Sequence, residues 1–277
     1  MTAQGLYVRE PLETIDGIPV FAPRDGYMEN YEQIARDHLE ATERTGEANP
    51  FIEEEDWEAL EESTAALLRR HARPGDRVLD VGVGLGRLLG RFSEFQRYGM
   101  DVSLDYLRRA RGRGLEVCCA RAEDMPYPDG FFDVVVSTDV LEHVVDLNAS
   151  VAAMDRVLRP GGLLVVRVPD GEDLTPYLAP DYPYRLAHVR SFDEASLRLL
   201  FTRLFDFDFV ASSYAHLASH PKSRVPLRLF SAVVVRALRL VRAAGLRQAL
   251  YRAFYRPIVV NVVFRKREAA QQSSEQR

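Results

Sequence analysis

The chain has 277 residues, 47% of them hydrophobic and 28% charged, with two cysteines and a formal net charge of −5. That is enough apolar content for one large α/β domain with additions, and two cysteines are too few for a disulfide scaffold. No apolar run reaches the roughly eighteen to twenty residues that span a bilayer, and a sequence pI near 5.8 excludes a generally basic nucleic-acid binder.

Charge is unevenly spread. Residues 1–65 hold seventeen acids against four bases, whereas Lys222 to Arg267 hold twelve Lys and Arg and no acid. The acidic part contains two helical stretches, Tyr27 to Arg44 and Glu53 to His71. The second can gather Trp57, Leu60, Ala65, Leu67 and Leu68 on one apolar face.

Next comes Arg77-Val78-Leu79-Asp80-Val81-Gly82-Val83-Gly84-Leu85-Gly86, a short apolar strand that ends in an acid and then a glycine-rich turn. Alternate glycines let backbone approach a ligand closely, and a helix following the turn would aim its free N–H groups there. The dinucleotide fingerprint needs Gly-x-Gly-x-x-Gly, but the sixth position from Gly82 is Arg87 and from Gly84 is Leu89. A nicotinamide or flavin dinucleotide is therefore disfavoured.

Further along, Tyr98-Gly99-Met100-Asp101 ends a second strand in an acid, and Leu115 to Cys119 is a third strand, leading into Ala120-Arg121-Ala122-Glu123. The adjacent Cys118 and Cys119 read as core residues of a reducing compartment. Phe131 to Ser137 is an apolar run of the kind buried in a parallel sheet, and it opens into Thr138-Asp139-Val140-Leu141-Glu142-His143-Val144. Leu158-Arg159-Pro160-Gly161-Gly162 turns into the strand Leu163 to Val166.

These four motifs, in this order over residues 77–168, resemble those of the class I S-adenosylmethionine-dependent methyltransferases. The resemblance implies an α/β, Rossmann-like, seven-stranded mixed sheet of order 3-2-1-4-5-7-6 with helices on both faces. It implies S-adenosylmethionine as cofactor and S-adenosylhomocysteine as product. On this basis Asp80, Gly82, Gly84 and Gly86 form the cofactor turn, Asp101 and Val102 hold the ribose, Ala122 and Glu123 flank the adenine, and Asp139 lies beside them. Arg121 departs from the pattern, because the family has an acid there and arginine cannot accept the adenine amino group's hydrogen bond.

The same resemblance makes residues 1–72 an acidic helical lid, from which Tyr27 and Tyr31 either reach the ligands or pack on the core. Residues 73–267 are the methyltransferase core, interrupted by a basic helical insertion at 222–256, and 268–277 are a disordered tail. Leu204 to Val210 and Pro257 to Phe264 are the last two strands. Within the insertion, Arg228, Arg236, Arg239, Arg242 and Arg247 share one helical arc, as an anionic lipid surface or an anionic, lipid-linked acceptor requires. The alternative is a packed helix whose arginines are solvated or paired.

The acceptor side is expected between the fifth and sixth core strands. There Tyr177, Tyr182 and Tyr184 suit stacking on a sugar or ring, Arg190 lies in His188-Val189-Arg190-Ser191-Phe192, and Ser191 or Asp193 caps the helix that begins at Glu194. Methyl transfer to a hydroxyl benefits from a base near neutral pH, for which His188 and His143 are the candidates. His38, His71, His216 and His220 lack a motif. No metal is expected, since no separate ligand cluster accompanies Asp139, Glu142 and His143. The reading is a cytoplasmic methyltransferase of a small-molecule or glycolipid-like acceptor, at oxygen, without nucleic acid as partner. N- or C-methyl transfer, or a non-catalytic cofactor-binding subunit recruited to a membrane, are the alternatives.

Overall fold

A computed structural model describes residues 5–45, 52, 54–221 and 255–268. Residues 222–254 and 269–277 lie outside it, and with them nearly all of the expected basic insertion and of the tail.

The N-terminal segment begins as strand, where helices alone were expected. β1 (Glu13–Ile15) and β2 (Ile18–Val20) form an antiparallel hairpin whose two turn residues, Asp16 and Gly17, have φ of 53° and 75°. Asp-Gly with both φ positive is the turn that matches the twist of paired strands. β2 then pairs in parallel with β5 (Glu116–Cys119) through Val20 and Cys119. The sheet therefore has nine strands, not seven.

The other strands are β3 (Arg77–Val81), β4 (Gln96–Asp101), β6 (Phe132–Thr138), β7 (Leu158–Pro169), β8 (Phe207–Pro221) and β9 (Tyr255–Lys266). The full order is β1-β2-β5-β4-β3-β6-β7-β9-β8. Counted from β3, the seven strands from β5 across to β8 run 3-2-1-4-5-7-6. β3 to β7 are mutually parallel, and β9 is antiparallel to both β7 and β8.

Alternation along the strands builds two cores. Leu79, Val81, Val135, Leu164 and Val166 face one layer with α4 (Leu147–Val157) and α5 (Glu194–Leu199). Val78, Val134, Val136, Leu163 and Val165 face the other, with α2 (Glu54–His71) and α3 (Leu104–Gly112). Each fully buried Leu or Val contributes roughly 1.5–3 kcal/mol, so these layers fix the sheet's register against slippage. Ser103, Asp146 and Asp193 cap α3, α4 and α5; of the two candidates for α5, the cap is Asp193.

One element departs from expectation at the ligand end. A helix was expected after the glycine turn, but the chain makes only a short 3-10 turn, Leu89–Arg91, before β4. The stretch is brief, and Phe92 and Phe95 drop into the core there, their ring centroids 4.9 Å apart. α1 (Gly26–Thr45) runs across the open ends of the strands and completes the site.

Candidate functional site

The glycine turn is shaped by its contacts. Gly82 has φ 72°, and a Cβ there would lie 2.3 Å from Val140 Cγ2, so this position tolerates only glycine if the loop after β6 is to close on it. Gly84 has φ 51° and nothing within 4 Å of its would-be Cβ, which leaves its backbone open to a ligand. Asp101 braces the turn: Oδ2 accepts the Gly84 N–H and Oδ1 accepts the Ser103 N–H, each at 2.9 Å. Burial pushes its carboxyl pKa up, against those backbone donors.

Beside the turn opens a cavity of about 580 Å3. Gly82, Gly84, Asp101, Val102 and Ala122 line one end, and Asp139, His143 and His188 the other. An open glycine cradle, a carboxylate at the end of the neighbouring strand and an enclosed cavity fit the nucleoside and amino-acid parts of S-adenosylmethionine.

Its cover comes from two distant pieces of chain clasped together. Asn30 of α1 donates to the Leu186 carbonyl and accepts its N–H, both at 3.0 Å, and Tyr184 donates to Asp37 at 3.1 Å. Aromatic rings run continuously between the pieces. Tyr27 lies 4.8 Å from Tyr31, Tyr31 meets His143 edge-on at 5.7 Å, and His143 meets His188 at 4.4 Å. Tyr177 is 5.0 Å from His188, and Tyr182 and Tyr184 continue the row.

Arg121 takes part in this cover. Its guanidinium pairs with Asp25, which caps α1 through the Tyr27 and Met28 N–H groups, and lies 5.0 Å over the Tyr27 ring. It reaches Glu123 at 3.5 Å. Where the resembled family has an adenine-facing acid, this chain has a cation that ties down the covering helix.

At the far end, Glu172 holds His188 by Nδ1 in a short hydrogen bond, and Tyr177 donates to the same carboxylate at 2.7 Å. Nδ1 being engaged, Nε2 is the nitrogen left for a ligand. The His143 pKa is pushed down to about 4, first by burial and next by the neighbouring His188, so its imidazole is neutral at pH 7. Nδ1 of His143 has no hydrogen-bond partner, nor has either carboxylate oxygen of the buried Glu142. One ligand atom each from Glu142, His143 and His188 lie within 4.8 Å of one another. The sequence showed no such cluster, because His188 comes from a different loop.

Beneath the cavity lies a charge network centred on Arg167, which is 2% exposed within β7. It donates to Asp139 at 2.6 Å, to Thr64 at 3.2 Å and to Glu61 at 3.4 Å. Asp139 is held with φ 55°, a backbone state that costs a non-glycine residue about 1 kcal/mol or more. Burial raises the Asp80 carboxyl well above its usual range, Glu61 adding to this and Arg167 opposing it.

Of the expected residues, Tyr27, Tyr31, Gly82, Gly84, Asp101, Val102, Ala122, Asp139, His143, Tyr177, Tyr182, Tyr184 and His188 line the cavity. Four do not. Asp80 is buried under the turn. A Cβ on Gly86 would meet Ala110 at 2.9 Å, so this glycine serves helix packing. Glu123 pairs with Arg121. Arg190 donates to the carbonyls of Val144 and Val145, bracing the loop that carries His143 in place of touching an acceptor. Conversely, His38 lines the cavity, bonded through Nδ1 to Tyr106 at 2.8 Å and facing Trp57. Of the residues missed, only Arg167 left a trace in the sequence, as a lone cation inside an apolar strand.

Residues 79–166 match the family model described as "Methyltransferase domain". The ubiquinone/menaquinone biosynthesis C-methyltransferase UbiE of Vibrio vulnificus is 36% identical over 108 residues, 34% of this chain and 42% of the relative. The chain thus spans less than half the length of that curated relative. Among solved structures, the methyltransferase TM1293 of Thermotoga maritima superposes with TM-score 0.56 at 17% identity, covering 87% of this chain and 100% of that one. The [4+2]-cyclase SpnF superposes with TM-score 0.50 at 21% identity, over 75% and 80%. The fold therefore admits more than one reaction, and it is the motif-bearing segment that carries the family. Residues 79–166 of this chain are a methyltransferase domain of the class I, S-adenosylmethionine-dependent family.

Proposed function

We propose that the protein transfers a methyl group from S-adenosylmethionine to a hydroxyl of a small-molecule acceptor. The observation that carries this reading is a single cavity with the glycine turn and Asp101 at one end and the Glu172–His188 pair at the other. Gly82, Gly84, Asp101, Val102 and Ala122 would hold the cofactor, which supplies an activated methyl group when bound. The remaining work belongs to the chain: positioning, exclusion of water and removal of one proton. Tyr27, Tyr31 and the row of Tyr177, Tyr182 and Tyr184 enclose the acceptor. His188, turned by Glu172 so that Nε2 faces outward, takes the hydroxyl proton, and the neutral His143 beside it supports the acceptor oxygen. α1 and α2 act as the lid, with Arg121 as its tie.

Calorimetry with S-adenosylmethionine and S-adenosylhomocysteine, with NADH as control, tests the cofactor, and a methyl-transfer screen over glycosides and lipid-linked sugars tests the acceptor. His188→Ala should abolish transfer while cofactor affinity holds; full turnover in that variant would remove the base. The C-methyl transfer named for the Vibrio relative is the second reading, and the site of methylation in the product decides between them. The basic stretch 226–256 extends the proposal to an anionic or lipid-linked acceptor and to peripheral contact with anionic membranes. Among the described residues no helix is long and apolar enough to cross a membrane. Salt-reversible sedimentation with anionic vesicles tests the membrane contact.

A further inference from the structure

Glu142, His143 and His188 present an unsatisfied donor set. Glu142 is 1% exposed, and neither of its oxygens nor Nδ1 of His143 has a hydrogen-bond partner. An ionised carboxylate buried without a partner costs several kcal/mol. The surroundings do not relieve it. Arg167, the cation beneath, is engaged by Asp139, Thr64 and Glu61. Asp139 is turned onto that arginine, and Glu172 is occupied by His188 and Tyr177. Three carboxylates thus crowd a wall whose one guanidinium is already shared, and a further positive charge fits among them.

We propose that Glu142, His143 and His188 bind a divalent first-row metal cation, of the Mn2+, Fe2+, Co2+ or Zn2+ kind, at the acceptor end of the cavity. Two imidazoles and one carboxylate suit these ions and leave coordination positions open, whereas Mg2+ and Ca2+ favour sites made of oxygen alone. The three ligand atoms lie within 4.8 Å of one another. Ligand distances of roughly 2.0–2.2 Å put such atoms about 3.0–3.4 Å apart, so each moves inward by about an ångström, which side-chain rotation supplies. Glu172 on His188 Nδ1 is the outer partner that metal-bound imidazoles normally have, fixing the tautomer and aiming the other nitrogen. His143 and His188 line the cavity, so the open positions face the acceptor.

The inference rests on the placement of the acceptor hydroxyl at the histidine pair and changes how that hydroxyl is activated. Bound to the cation, the oxygen keeps the electron pair of its O–H bond while the proton leaves to water, because a Lewis acid lowers the pKa of a bound hydroxyl. His188 is then a ligand, not a base.

The test uses the untagged full chain, stripped with chelator and dialysed. Mn2+ is titrated and the free ion followed by its electron paramagnetic resonance; Co2+ is followed by absorption and Zn2+ by calorimetry. One equivalent should bind, with affinity at least about tenfold weaker in Glu142→Gln and in His188→Ala. Circular dichroism checks both variants; if Glu142→Gln does not fold, His188→Ala, changed on a surface loop, carries the comparison. No saturable binding of any of the three ions up to about 1 mM, or equal binding by folded variants and parent, overturns the site. Metal binding is read directly, so the two readings fail separately. One bound equivalent without methyl transfer overturns only the proposed reaction, and methyl transfer by a chain that binds no metal overturns only the metal site.

Discussion

Asn30 and Leu186 exchange two hydrogen bonds, the Asn30 amide donating to the Leu186 carbonyl and accepting the Leu186 N–H, each at 3.0 Å. This clasp joins the covering helix to the acceptor loop across 156 positions of sequence. Asn30→Ala removes both bonds, worth about 1 kcal/mol each. The acceptor KM should rise by about tenfold or more, with faster proteolysis of residues 175–190. A loop as resistant as before would show that it is held by other contacts.

Asp101 is expected to matter through its hydrogen bonds as well as its charge. Asp101→Ala frees the Gly84 N–H and deletes the proposed ribose acceptor, so the dissociation constant for S-adenosylmethionine should rise about 10- to 100-fold in calorimetry. An unaltered constant would remove this residue from the cofactor site.

In the proposed reaction Glu172 acts through His188, whose Nδ1 it holds. Glu172→Gln keeps the shape but weakens the hold on Nδ1, so kcat should fall about tenfold or more while cofactor affinity stays constant. An unchanged kcat would remove Glu172 from the reaction.

Arg167 is the cation of the buried Glu61 and of Asp139. Arg167→Met leaves both without it, a change that breaks a buried ion pair and should cost about 3–5 kcal/mol in urea unfolding. A loss under about 1 kcal/mol would mean that those acids are protonated or hydrated in the fold.

Asp80 gives the pH dependence a sign. Its carboxyl pKa is raised, so folding favours the neutral form. Below the unfolded value of about 3.9 both states are protonated and no penalty exists. As pH rises above it, the unfolded chain releases the proton first, and stability falls until the folded pKa is passed. Asp80→Asn cannot ionise. The stability of the parent relative to this variant should therefore decline from pH 4 to pH 7, and parallel curves would contradict the buried charge.

Two expectations failed for local reasons. The hairpin at Asp16-Gly17 carries a clear turn signal, but strands of three residues are too short to show alternation, and what makes them strands is the free edge of β5. The helix expected after Gly86 gave way to the 3-10 turn because Phe92 and Phe95 are drawn into the core before a helix can extend.

The amino-acid sequence by itself determined the strand runs, the glycine turn, the acid at Asp101 and the order of the motifs. All of these depend on the side-chain alternation of strands and on backbone conformations that one or two residues impose. Only the tertiary structure decided that Arg190 braces a loop, that Arg121 ties a helix, that Arg167 joins Glu61 to Asp139, and that His188 meets Glu142 and His143. Those relations join residues far apart in the chain, and their energies come from burial and from charges brought together away from water. No local pattern encodes them.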